Sequence, residues 1–147
     1  MHADPRLAGY LTRALGHELA AVQQYLLQAK LAGLWGLADI SARLREDVNE
    51  ELVHAERLME RMLILGVPSR VTQLPSIRSG RTLEEMLLID RGLEIEAVRL
   101  YEEGAHYCTR IGDGETQALF AELLQDELGH LRELDRMLTE INKGATP

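Results

Sequence analysis

Glu51-Leu52-Val53-His54 and Glu127-Leu128-Gly129-His130 are two Glu-x-x-His stretches lying 76 residues apart in a chain of 147. Sliding the sequence along itself by the same 76 residues lays Glu18 on Glu94, Tyr25 on Tyr101, Gly16 on Gly92, Leu11 on Leu87, Gly36 on Gly112 and Leu58 on Leu134. Each half therefore reads Glu, then Glu-x-x-His 33 residues later. With 17 Glu and 5 His, about 0.6 such tetrads are expected by chance, so one alone would mean little. Two in register imply an internal repeat and a pseudo-two-fold axis through the folded chain.

Working outward from these stretches, apolar residues recur at three- and four-residue steps, the period of one helical face. Leu11, Leu15, Leu19, Val22, Leu26 and Ala29 mark a first helix over about 5–34, and Ile40, Leu44, Val48, Leu52, Leu58, Met62 and Leu65 a second over about 37–65. Gly66-Val67-Pro68-Ser69 stops the second, and no period is sustained until Thr82. Thr82 followed by Glu85 forms a capping box for a third helix over about 82–110, carried by Met86, Ile89, Leu93, Ala97, Leu100 and Tyr101. After the turn Gly112-Asp113-Gly114, a fourth helix over about 115–142 runs through Leu119, Leu123, Leu124, Leu131, Leu134 and Leu138. Helices of this length are roughly 40 Å long, and the central loop of about 14 residues can stretch roughly 46 Å. It can therefore cross the bundle from end to end. The expectation is an all-α, antiparallel four-helix bundle with one long crossover, as a single domain over 1–147.

The repeat then acquires a chemical meaning. Glu and His at i and i+3 share a helix face, so each tetrad can grip one ion while Glu18 or Glu94 from a neighbouring helix completes the shell. Glu18 lies beside Leu15 and Leu19, Glu51 between Val48 and Leu52, Glu94 beside Leu93 and Ala97, and Glu127 among Leu123, Leu124 and Leu131. These carboxylates project from apolar stripes. Four of them converging in a low-dielectric core would each cost several kcal/mol unless protonated or compensated. Two divalent cations cancel four negative charges. The imidazole and carboxylate donors suit iron or manganese better than metals that seek thiolates.

Composition excludes other classes. Apolar residues make up 46% and charged residues 27%, so the core has to be built from Leu, Ala, Ile, Val and Met, aromatics being only 4%. A net charge of −8 and a pI near 5.1 leave no basic stripe to displace counterions from nucleic acid. Cys108 is alone, so no intramolecular disulfide forms, and a reducing, cytoplasmic setting is expected. No apolar h-region follows His2-Ala3-Asp4-Pro5-Arg6, and no run reaches the roughly 18 apolar residues of a membrane span.

His17-Glu18-Leu19-Ala20, Gln24-Tyr25, Trp35-Gly36, Glu51-Leu52-Val53-His54-Ala55-Glu56-Arg57 and Asp126-Glu127-Leu128-Gly129-His130 resemble the helix motifs of bacterioferritin, over about residues 5–142. The resemblance implies a ferritin-like fold and a ferroxidase centre that binds two Fe(II) and oxidises them with dioxygen or hydrogen peroxide, for iron storage or detoxification. In it Glu51 and Glu127 bridge the irons, His54 and His130 are terminal ligands, and Glu18 and Glu94 complete one site each. It also implies a homo-oligomer, from a dimer to a shell. Bacterioferritins typically ligate haem through a methionine between the Glu and His of the second helix, where this chain has Leu52, which offers no donor atom. No haem ligated in that way is expected, and Met59 reads as a core methionine. The chain ends in Asn142-Lys143-Gly144-Ala145-Thr146-Pro147, so no fifth helix is expected, and a shell mixed with another bacterioferritin subunit is one alternative. A non-storing di-iron oxidase or peroxidase and a structural partner subunit are the others.

Secondary candidates are less constrained. Tyr25 and Tyr101, each seven residues beyond its Glu, could hydrogen-bond a ligand, donate an electron, or simply pack. Glu46 and Glu50, one turn apart, are candidates for an accessory iron site or a solvated acidic face. Trp35 reads as a core or interface anchor, Cys108 as a structural thiol, and His17 and His106 as surface or interface residues. Arg57 and Arg61, alternating with Glu56 and Glu60, read as a solvated face.

Overall fold

The computed structural model describes residues 3–71 and 73–144. Four helices account for most of them: α1 (Pro5–Leu34), α2 (Ala38–Leu65), α3 (Leu83–Ile111) and α4 (Gly114–Gly144). Their limits follow from local chemistry. Asp4 caps α1 by accepting hydrogen bonds from Arg6 N (2.9 Å) and Leu7 N (3.1 Å), with Pro5 already set for the first turn. The Thr82 hydroxyl accepts from Glu85 N at 3.1 Å, and Glu85 reaches back to Arg81 N at 2.6 Å, one residue short of the cap nitrogen a capping box engages. Gly66 at φ 72° closes α2, letting Val67 N bond Met62 O at 2.8 Å, an αL geometry that a side chain would strain. Asp113 starts α4, its carboxylate accepting from Thr116 N at 3.0 Å.

Cross-helix pairs define the topology. Tyr25 meets Glu94 while Tyr101 meets Glu18, so α1 and α3 run in opposite directions. His54 meets Asp126, Arg61 meets Thr116, and Arg43 meets Glu133, so α2 and α4 do too. Since α1–α2 and α3–α4 are joined by short turns, α2 and α3 must be parallel. The segment between them, residues 66–82, therefore travels the length of the bundle, as expected. It is tied to α1 by Gln24, whose carbonyl accepts from Arg78 N at 3.0 Å and whose amide donates to Arg78 O.

Two apolar clusters fill the interior on either side of the middle. One gathers Leu7, Leu11, Leu15, Leu58, Met62, Tyr101, Phe120 and Leu123, and the other Ala21, Tyr25, Ala29, Leu44, Val48 and Met86. Each fully buried Leu or Met contributes roughly 1.5–3 kcal/mol. Gly104 lets α3 and α4 approach: a Cβ there would lie 2.8 Å from the Phe120 ring. Between the clusters the core is polar, with Glu18, Glu51, His54, Glu94 and Glu127 all buried.

Several apolar residues placed inside by periodicity face outward. Leu26 and Leu52 are 37% and 40% exposed. The inner face of α1 instead carries Tyr25, Gln24 and Gln28, because a bundle interior that houses polar groups needs partners for them. Trp35 is exposed rather than in the core, and Met59 packs against the first cluster. Cys108 is buried, with its thiol pushed up to about 11 by burial. Arg57 and Arg61 bridge α2 to α4, through Glu122 and through Asp113, Glu115 and Thr116, rather than pairing along α2. The expected absence of a fifth helix falls on Ala145, Thr146 and Pro147, which lie outside the described residues. No helix among the described residues is long and apolar enough to cross a membrane.

Candidate metal centre

All six residues of the duplicated pattern meet in the middle of the bundle. Glu18 comes from α1, Glu51 and His54 from α2, Glu94 from α3, and Glu127 and His130 from α4. They form two overlapping groups whose potential ligand atoms lie within 4.8 Å of one another: Glu18, Glu51, His54 and Glu127, and Glu51, Glu94, Glu127 and His130. Glu51 and Glu127 belong to both groups, so either could serve two ions at once, and the remaining four belong to one each. His54 Nδ1 lies 3.5 Å from Glu18, 3.6 Å from Glu51 and 3.0 Å from Glu127. His130 Nδ1 lies 3.3 Å from Glu51, 3.6 Å from Glu94 and 3.6 Å from Glu127. The two imidazoles face each other with centroids 6.4 Å apart.

The donor set fits a pair of cations. Glu18 Oε2, Glu51 Oε1, His54 Nδ1, Glu94 Oε2, Glu127 Oε1 and His130 Nδ1 are buried and have no hydrogen-bond partner, one atom from each of the six residues. Buried polar atoms in folded proteins are paired in the great majority of cases, so six orphans turned toward one space form a donor set that a Lewis acid would satisfy.

The other atoms of these side chains are held. Tyr25 OH donates to Glu94 Oε1 and Tyr101 OH to Glu18 Oε1, two bonds related by the repeat. Burial first, and then the charge of the neighbouring glutamate, pushes both phenols well above their usual range, so they stay protonated and donate. His54 Nε2 bonds Asp126 Oδ2 at 3.0 Å, and His130 Nε2 bonds Glu50 Oε2. A carboxylate on the outer nitrogen orients the ring and raises its basicity as a ligand.

Burial, followed by the charge of Glu51, raises Glu18 well above the carboxylate range, and burial raises Glu94 likewise. Burial also opposes charge on Glu51 and Glu127, but the closeness of Glu18, Glu94 and the two histidines outweighs it and holds both low. For His54 and His130, burial is outweighed by the carboxylates around them, which hold the imidazoles charged far above neutrality. Without metal, burial thus favours the neutral acid at Glu18 and Glu94, and the surrounding carboxylates favour charge on both imidazoles.

Some residues were not singled out from sequence. Asp126 is the partner of Glu50 under the 76-residue shift, so the repeat already carried the signal that both would serve the opposite histidine. Glu50 also lies with Asp47 and His130 in a third group of potential ligands, whereas Glu46 is exposed and belongs to none of the three. His106 is exposed, and His17 is half-buried outside the centre.

The ferritin-like domain profile matches residues 8–144. The bacterioferritin of Rhodobacter capsulatus is 33% identical over 139 residues, covering 95% of this chain and 86% of that protein. That of Brucella melitensis is 35% identical over 144 residues, covering 97% and 89%. That of Mycolicibacterium paratuberculosis is 30% identical over 143 residues, covering 97% and 90%.

Proposed function

The chain belongs to the ferritin-like family and, within it, to the bacterioferritins, and from that premise we propose that it binds two Fe(II) per chain at Glu18, Glu51, His54, Glu94, Glu127 and His130 and oxidises them for iron storage or detoxification. The observation that carries this reading is the set of six buried, partnerless donor atoms, one on each residue, shared out as two overlapping groups. Each ferrous ion yields one electron. A pair held on shared carboxylates can deliver two together to dioxygen or to hydrogen peroxide, the latter taking up two protons to become two waters.

The residues of the chain supply four things to that reaction. Glu51 and Glu127 hold both ions at once, which fixes their separation. His54 and His130 anchor one ion each and are themselves aimed by Asp126 and Glu50. Tyr25 and Tyr101 each occupy one oxygen of an outer glutamate, leaving the other for metal. The apolar clusters above and below exclude bulk water, so the four carboxylates keep their full affinity for cations.

α2 leaves Leu52, Val53, Leu63 and Ile64 exposed, with Leu63 and Ile64 69% and 66% open. Such a face suits contact with further subunits, and a homo-oligomer is part of the proposal. Leu52 offers no atom to a haem iron at that face.

Stopped-flow absorbance tests the reading, with Fe(II) added to anaerobic metal-free protein and then oxygen or peroxide. A fast phase saturating at two irons per chain supports a ferroxidase, and uptake continuing beyond that ratio in a large assembly adds storage. The absence of any saturable phase, or an unchanged phase in Glu127→Ala, would overturn it.

A further inference from the structure

Beside the centre lies a narrow cavity of about 20 Å³, room for one water molecule or one dehydrated ion. Its wall includes Tyr25, Glu94 and His130 on the side of the centre, Asp47 and Asp90 along its length, and Arg43. Asp90 is the unusual group. Its residue is 1% exposed, and neither carboxylate oxygen has a hydrogen-bond partner. Gln28, fully buried beside it, also has both its amide nitrogen and its carbonyl oxygen unpartnered.

An ionised carboxylate away from water is strongly unfavourable unless a counter-charge meets it. No such charge acts on Asp90. Burial pushes it up to about 8, Gln28 offsets part of that, and the charge that reaches it is the like charge of Asp47. Asp47 is itself pushed up to about 6, mainly by burial. The cationic groups near Asp47 are His130, which shares a group of potential ligand atoms with it, and Arg43, 3.9 Å away and shared with Glu133 at 2.8 Å. A buried and a half-buried acid therefore face a small void, and Asp90, the buried one, has no partner of its own.

We propose that Asp90 and Asp47 bind a divalent cation in this cavity, a third cation site next to the di-metal centre. An all-oxygen set selects hard ions of the Mg(II), Mn(II) and Fe(II) class over thiolate-seeking metals. Asp90 stands one helical turn before Glu94 on α3, so an ion held by Asp90 is one short step from a ligand of the centre. The site thus serves as a waiting position for ions bound for Glu94 and His130. That transfer rests on the centre being a di-metal site, whereas the cation site stands without it.

The test is Mn(II) bound to the full-length metal-free protein, located by anomalous diffraction and counted in solution from the EPR signal of free Mn(II). Wild type should show two ions at the centre and a third between Asp47 and Asp90. Asp90→Asn should lose the third alone. Arg43→Gln, which removes the competing cation, should raise the occupancy of the third site several-fold at subsaturating Mn(II).

Two ions at the centre with none at Asp90 would overturn this proposal and leave the centre standing. An ion at Asp90 with none at the centre would overturn the function proposed above and the transfer with it. An ion retained in Asp90→Asn would overturn the assignment of its ligands. Should Asp90→Asn fail to fold, an unchanged third-site occupancy in Arg43→Gln would overturn the proposal by itself.

Discussion

Loading the metal-free protein with Zn(II) should release close to four protons for every two ions bound. Zn(II) accepts imidazole and carboxylate ligands and has no redox chemistry to complicate the count. His54 and His130 are held as imidazolium ions by the carboxylates around their Nδ1 atoms, and each must lose a proton to become a ligand. Burial favours the neutral acid at Glu18 and Glu94, which would then give up one each, while Glu51 and Glu127 are held low and give up none. The exchange keeps the buried site neutral: two imidazolium ions and two carboxylates before, two dications and four carboxylates after.

The sign of the pH dependence follows. Two protons leave per ion, so lowering the pH by one unit should weaken each ion about a hundredfold, or about 2.7 kcal/mol at 1.36 kcal/mol per proton. Titration at pH 6 in weak buffer with an indicator dye gives the count, and calorimetry in buffers of differing ionisation enthalpy gives it independently. Fewer than two protons per pair of ions would mean that the histidines are not charged in the metal-free chain, or are not ligands, and would refute the reasoning.

The shared position of Glu51 makes its loss worse than that of Glu18: native mass spectrometry with Zn(II) should find about one ion per chain in Glu18→Ala and none in Glu51→Ala, and equal losses would contradict the bridging geometry. Tyr101→Phe strips Glu18 of its buried donor, which should cost about 2 kcal/mol, a fall of roughly 4–8 °C in the thermal midpoint of the metal-free protein. A shift below one degree would show that the hydroxyl bond carries no net stability. Gly104→Ala places a methyl group 2.8 Å from the Phe120 ring, so calorimetry should show a loss of about 1–3 kcal/mol rather than the gain that alanine usually brings to a helix. Asp113 is opposed by burial but held below its usual 3.8 by the Thr116 hydroxyl and backbone bonds and by Arg61. Its stabilisation is therefore present above 3.8 and lost as the pH falls through the lower folded value, and Asp113→Ala, expected to cost about 1 kcal/mol at neutral pH, should lose its penalty in acid urea titrations.

The sequence by itself determined the helices, their order and which six residues would meet, because these depend on short-range rules and on a repeat. Helical period, the Thr82 and Glu85 capping pair and glycine stops act within a turn or two, and a duplication that superposes Glu-x-x-His on Glu-x-x-His needs no coordinates to be seen. Even the crossover was legible, since helix and loop lengths permit it.

Only the tertiary structure decided which polar groups go inside with the six. Periodicity counted Leu26 and Leu52 as core, yet they point out, while Gln24, Gln28 and Asp90 point in, because residue type reports average burial and not the needs of a particular interior. Asp126 and Glu50 join the histidines, and Tyr25 and Tyr101 join the glutamates, across helices 69 to 83 residues apart in sequence. Those pairings depend on helix rotation and register, which packing of all four helices sets together and no local pattern encodes.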